Sequence, residues 1–191
     1  PSISNCTFKN MPNGNYILTI GHEIKETGLI TLDNLIFMDN EASVSDAAGG
    51  GGIGLWVSQA DRCLLDNCKF IRNVNRKASN GGVIGYAPTR YSNSKVTLQF
   101  RGCSFEDNRV QQGFNGGALY INAQLRPVFI ESCVFSNTIN NAAYYGGAIF
   151  IEGTTTQTIS IVDTKFNNMK ANSNEKPNGN AIYIEDETSG D

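Results

Sequence analysis

Gly116-Gly117-Ala118-Leu119-Tyr120-Ile121, then Val134-Phe135-Ser136-Asn137, then Gly146-Gly147-Ala148-Ile149-Phe150-Ile151: two marks alternate in this stretch, and their alternation decides the fold. The glycine mark also stands at Gly50-Gly51-Gly52-Ile53 and Gly81-Gly82-Val83-Ile84. Weaker copies are Gly14-Asn15-Tyr16-Ile17 and Gly179-Asn180-Ala181-Ile182. The aromatic mark is Phe8, Phe37, Phe70, Phe105, Phe135 and Phe166, each followed two or three residues later by Asn. These Phe residues are spaced by 29, 33, 35, 30 and 31 positions. Such drift describes a constant core with loops of variable length. A unit of this size cannot bury its own apolar face, so stacked copies, a solenoid, are required.

Within each repeat the apolar residues alternate, which marks strands and not helices. Two positions before each Phe come Cys6, Leu35, Cys68, Cys103, Cys133 and Thr164; five before come Ile3, Leu32, Leu65, Phe100, Ile130 and Ile161. Turn-forming pairs such as Asp33-Asn34 and Asp66-Asn67 lie between them, so two short strands meet at a sharp corner. A third strand follows the glycines, with inward pairs such as Leu119 and Ile121, or Ile149 and Ile151. The expected fold is all-β: a right-handed, single-stranded parallel β-helix of six coils with three short strands each, one domain over residues 1–191. Right-handedness follows the preference of parallel crossovers. A β-sandwich also alternates strands and turns, but it gives no reason for the same marks to return six times.

The marks have physical causes. Stacked coils hold equivalent residues about 4.8 Å apart, so Phe stacks on Phe. Asn accepts left-handed backbone at a corner and can bond the Asn of the next coil. Paired glycines permit the positive φ of a sharp re-entry into the sheet.

The GGA[IL] tetrapeptide alternating with FxxN resembles the repeat of the chlamydial polymorphic outer-membrane proteins and of similar β-helical surface proteins in protists. The full FxxN form stands at Phe37, Phe70 and Phe105; at Phe8, Phe135 and Phe166 the Asn comes one residue early. The resemblance covers the whole chain. It implies an exported, extracellular or surface-exposed adhesive or structural stalk. That family ends in a membrane barrel, and nothing like one is present in these residues.

Composition agrees with a turn-rich β protein. Charged residues make up only 17% and the net charge is −3, so polarity must come from Asn, Ser, Thr, Gln and Gly. No basic cluster offers a footprint for nucleic acid. No apolar run approaches the roughly 18 residues of a membrane helix, so no membrane insertion is expected of this segment.

Candidate chemistry is sparse. Cys6, Cys68, Cys103 and Cys133 share one inward position, and Cys63 matches inward Leu98; all five read as free core thiols. No CxxC pair occurs and the one His, His22, sits in a turn, so no metal and no cofactor is expected. Asp33, Asp66 and Glu131 share a column that could hold the carboxylates of a polysaccharide-degrading enzyme. Ser4, Arg101 and Val162 interrupt it, and a set of solvated corner residues is the better account. Asn5-Cys6-Thr7 fits a glycosylation acceptor by chance, beside an inward strand position. The candidate ligand or partner stripe is Tyr120, Phe150 and Tyr183, which alternate with inward aliphatics on three successive coils. Exposed, they would bind glycans or a partner surface; a loop from 109–115, 138–145 or 169–178 could equally cover them. Residues 1–8 and 179–186 already read as core strands, which predicts a segment of a longer chain or a subunit stacking on itself, end to end, as a filament. A structural role, and no enzymatic one, is the expectation.

Overall fold

In the computed structural model, residues 2–12, 17–20, 28–43, 53–55, 62–76, 83–86, 97–111, 115–123, 127–137, 143, 145–153, 158–170 and 179–186 are described. The chain forms six coils. Coil 1 holds β1 (Ser2–Ser4), β2 (Thr7–Lys9) and β3 (Leu18–Ile20); coil 2 holds β4 (Leu29–Asp33), β5 (Ile36–Met38), β6 (Glu41–Ala42) and β7 (Ile53–Leu55). Coil 3 holds β8 (Arg62–Asp66), β9 (Lys69–Ile71), β10 (Val74–Asn75) and β11 (Ile84–Tyr86). Coil 4 holds β12 (Thr97–Arg101), β13 (Ser104–Glu106), β14 (Arg109–Val110) and β15 (Leu119–Asn122). Coil 5 holds β16 (Val128–Glu131), β17 (Val134–Ser136) and β18 (Ile149–Gly153); coil 6 holds β19 (Ile159–Val162), β20 (Lys165–Asn167) and β21 (Ile182–Asp186).

Equivalent strands of successive coils pair in parallel, giving three six-stranded sheets with the core between them. A fourth sheet of three two-residue strands, β6, β10 and β14, was not expected from three strands per coil. It follows directly on a buried Asn ladder, described next, which holds the backbone in register long enough for two more residues to pair.

The aromatic column forms as expected. The rings of Phe8, Phe37, Phe70, Phe105, Phe135 and Phe166 stack with centroids 4.5–5.3 Å apart and planes within 11°. Each contact adds about 0.5–1.5 kcal/mol beyond its buried area.

Three positions after Phe, Asn40, Asn73 and Asn108 are buried at 0–1% exposure. Asn73 Nδ2 donates to Phe37 O (2.9 Å) and to Asn108 Oδ1 (3.0 Å), and its Oδ1 accepts from Asn40 N and Nδ2 (3.3 and 3.0 Å). Two of the early Asn residues are not displaced members of this ladder, while the third, Asn137, is buried and has no left-handed backbone. Asn10 and Asn168 take left-handed backbone (φ 54) at the preceding corner, as do Asp39, Arg72 and Asp107. Met11 and Met169 hold the ladder position instead.

The first corner is equally regular: Asn5, Asn34, Asn67, Gly102, Ser132 and Asp163 all have φ between 49 and 61. In the glycine mark the two residues differ in purpose. Gly116 and Gly146 have φ of 72 and 60; Gly147 is needed for space, since a Cβ there would lie 2.1 Å from Asn180 O in the next coil. Gly81 and Gly82 lie outside the described residues.

Candidate functional site

The third sheet, β3-β7-β11-β15-β18-β21, carries the stripe. Its outward positions pair in register as Thr19, Gly54, Gly85, Tyr120, Phe150 and Tyr183. The three rings stack, Tyr120 on Phe150 at 5.8 Å and Phe150 on Tyr183 at 5.4 Å. They are not an open platform. Tyr120 and Phe150 are only 2% and 1% exposed, so of the two alternatives, an exposed stripe or one covered by a loop, the covered one holds for these two rings. Tyr145 packs against two of the three rings, 6.5 Å from Phe150 and 5.1 Å from Tyr183. The left-handed turn at Gly146 lets the chain fold back onto the strand it is about to enter. Asn115, which pairs with Tyr145, comes in ahead of Gly116 in the same way.

Beside the rings runs a second outward column: Asn122, Glu152 and Glu185, in register on β15, β18 and β21. The Tyr120 hydroxyl donates to the Glu152 carboxylate. Asn122 Oδ1 is buried without a donor. Glu152 and Glu185 stand on neighbouring strands, about 4.8 Å apart at the backbone. This pair escaped the sequence reading. Its signal is the recurrence of Glu after the inward Ile in Phe150-Ile151-Glu152 and Tyr183-Ile184-Glu185.

The corner column behaves differently. Arg101 is bidentate on Asp66, with Nε 3.0 Å from Oδ1, and holds that carboxyl below its usual range chiefly through these hydrogen bonds. Gln99 Nε2 donates to Glu131 Oε2 at 3.1 Å. The same cross-coil pattern joins Arg72 to Asp39 (2.7 Å) and Arg76 to Glu41. The Arg72 and Arg76 hydrogen bonds lower the carboxyl pKa values of Asp39 and Glu41 in the same way. These solvent-facing pairs add little stability, and in the Asp33, Asp66 and Glu131 column they engage Asp66 and Glu131.

The cysteines carry no disulfide. Cys63, Cys68, Cys103 and Cys133 are buried, and Cys6 is exposed. Cys68, Cys103 and Cys133 form one column of thiols, with Cys68 and Cys103 Sγ each 3.4 Å from a carbonyl of the preceding coil. Hydrogen bonding with Cys133 and Cys68, together with burial, pushes the Cys103 thiol up. Burial alone pushes Cys63 up to about 12. Native protein should therefore lose one thiol to a bulky alkylating reagent and all five only after unfolding. A second reactive thiol in the folded protein would contradict the buried column. Because the folded Cys63 pKa lies above the unfolded one, its contribution is complete below pH ~9 and lost as pH rises toward 12. The loss is about 1.4 kcal/mol per unit. Cys63→Ala should remove that share of the alkaline slope in urea midpoints, and an unchanged slope would refute the assignment.

Among the described residues no group of three or more His, Cys, Asp and Glu side chains is arranged to hold a metal ion, and no helix is long and apolar enough to cross a membrane. His22 lies outside the described residues. Asn5 is exposed at its corner, where its Oδ1 accepts from Asn34 Nδ2 at 2.8 Å.

The family model for a right-handed β-helix region matches residues 1–156. The chain belongs to that family. No curated protein and no solved structure matches it. The right-handed β-helix family holds both polysaccharide-cleaving enzymes and proteins with no catalytic role, so membership fixes the fold and not the chemistry. In this β-helix the buried stripe leaves Tyr145 and Tyr183, both half-buried, as the described aromatic surface of the third sheet.

Proposed function

We propose that this β-helix is a structural and adhesive segment of an exported, cell-surface protein of the polymorphic outer-membrane repeat type, and not an enzyme. One observation carries the reading: the ordered side-chain interactions run along the coil axis. Rings, amides and ion pairs each join residue to equivalent residue from coil to coil. Such ladders resist bending and peeling, which is what a stalk needs, and the aromatic face that would make a glycan platform is closed. Antibody labelling of intact producing cells, paired with incubation of the purified chain on pectate and alginate, tests the proposal. Surface labelling without new reducing or unsaturated ends is the expected outcome. Labelling only after permeabilisation would overturn the location, and released oligosaccharides the non-enzymatic role.

The Glu152 and Glu185 pair favours a second reading, cleavage of an acidic polysaccharide. It requires that any such release vanish in Glu152→Gln and in Glu185→Gln.

A further inference from the structure

The first corner faces solvent in every interior coil: Asn34, Asn67, Gly102 and Ser132 hold it in coils 2–5, and all four are exposed. Asn5 holds the same corner in coil 1, with the same left-handed backbone (φ 56). Thr7 stands in an outward column, in register with Ile36, Lys69, Ser104 and Val134. Lys69 and Val134 are exposed on strands paired on both sides, so this column points outward by its place in the fold. Of Asn5-Cys6-Thr7, only Cys6 belongs to an inward column, the one that buries Leu35, Cys68, Cys103 and Cys133. The tripeptide therefore turns its asparagine and its threonine outward. The inward residue is the one whose identity, proline apart, a glycosylation acceptor leaves open.

The amide chemistry separates this asparagine from those of the ladder. At the corner, Asn34 gives one Nδ2 hydrogen to Asn5 Oδ1 at 2.8 Å. An N-glycosidic linkage takes one of the two Nδ2 hydrogens and leaves the other, with Oδ1 unchanged. A corner asparagine therefore keeps its column bonds when it carries a sugar, whichever coil it stands in. In the buried ladder, Asn40 Nδ2 donates to both Phe8 O and Asn73 Oδ1, and Asn73 Nδ2 to both Phe37 O and Asn108 Oδ1. A sugar there would break the core. Two residues after Asn40, Asn73 and Asn108 stand Ala42, Asn75 and Val110, so none of the three is an acceptor. The Asn-x-Ser/Thr pattern occurs in this sequence only at Asn5.

Building on the exported reading above, we infer that Asn5 is an N-glycosylation site, modified in a secretory lumen. The transfer joins Nδ2 to the anomeric carbon of a polyprenyl-diphosphate-linked oligosaccharide. The bond from that carbon to the diphosphate oxygen breaks, the diphosphate leaves with the electron pair, and Nδ2 gives up one proton. The sugar chain then stands hydrated on a corner of the stalk, outside the core.

The test is mass spectrometry of the protein recovered from its producing cells. Treated with peptide N-glycosidase in heavy-oxygen water, the intact chain should lose mass. Its tryptic peptide ending at Lys9 should carry aspartate with one heavy oxygen in place of Asn5. Asn5→Gln and Thr7→Ala, expressed in the same cells, should each abolish the mass loss, whereas Thr7→Ser should retain it. Thr7→Ala leaves the asparagine and its corner in place, so it separates loss of the acceptor from loss of the fold. An unmodified Asn5 would overturn the site, as would a mass loss that persists in Thr7→Ala. An unmodified Asn5 in a chain that labels on the cell surface would leave the exported role standing. A modified Asn5 in a chain labelled only after permeabilisation would do the reverse, keeping the site and removing the surface location.

Discussion

Replacing Asn73 with leucine should strip about 3–5 kcal/mol from the folded protein, although leucine is the more apolar residue for a buried site. The cost lies in what the amide leaves behind. Asn40 N–H loses its acceptor, Asn73 Oδ1, and Phe37 O loses its donor, Asn73 Nδ2. Asn40 Nδ2 keeps only its bond to Phe8 O at 2.9 Å. Each buried group stranded without a partner costs about 1–3 kcal/mol, and no water reaches a side chain that is 1% exposed. Asn73→Asp separates shape from bonding. It keeps an acceptor for Asn40 but gives up the donor to Phe37 O and buries a charge, so it should recover stability as acid protonates it. Urea unfolding followed by the β-sheet circular dichroism band reads both variants. A Leu variant within about 1 kcal/mol of the parent would show that the ladder is not what supports this corner.

Solenoids lose stability locally, because each coil touches only its neighbours. Coil 3 is interior, and the loss at Asn73 is felt on both sides, through Asn40 and Asn108.

Most of the architecture was legible in the sequence because stacking converts a chemical preference into a repeat. Six Phe residues in one column, with inward aliphatics at fixed offsets, can be read without knowing any loop. The facing of Tyr120, Phe150 and Tyr183 was legible for the same reason, since alternation along a strand puts them opposite Ile121, Ile151 and Ile184. Their cover was not. Tyr145, from the stretch before Gly146, packs against Phe150 and Tyr183, and no repeat fixes the path of that stretch. The Asn marks misled by a single position: FxN and FxxN look like one drifting motif, yet Asn10 and Asn168 shape the corner while Asn40, Asn73 and Asn108 fill the core. The Glu152 and Glu185 column was hidden because it spans only two coils, too few for a repeat to announce it.

Gly147→Ala should open the seam between coils 5 and 6 at a cost of about 3 kcal/mol, the upper range for overpacking, while coils 1–4 stay folded. The added Cβ would lie 2.1 Å from Asn180 O and 2.8 Å from Lys170 O. Both are backbone atoms of the following coil, so no side chain can swing aside. The substitution therefore acts between coils, whereas Gly146→Ala would strain the chain within its own coil, against Ile149 O. Three bonds cross the seam here: Gly147 N–H to Gly179 O, and Ala148 and Ile149 N–H to Ala181 O. Their amide hydrogens should exchange faster in the variant, and limited proteolysis should cut within or before 159–186 and release that segment first. Amides that pair coils 2 and 3, such as Lys69 N–H on Leu35 O, should keep their protection. Faster exchange throughout would mean the coils unfold as one unit. Unchanged exchange at the seam would mean that coil 6 is not packed against Gly147. Only loss confined to the last coil fits a solenoid whose second glycine is kept to let the next coil approach.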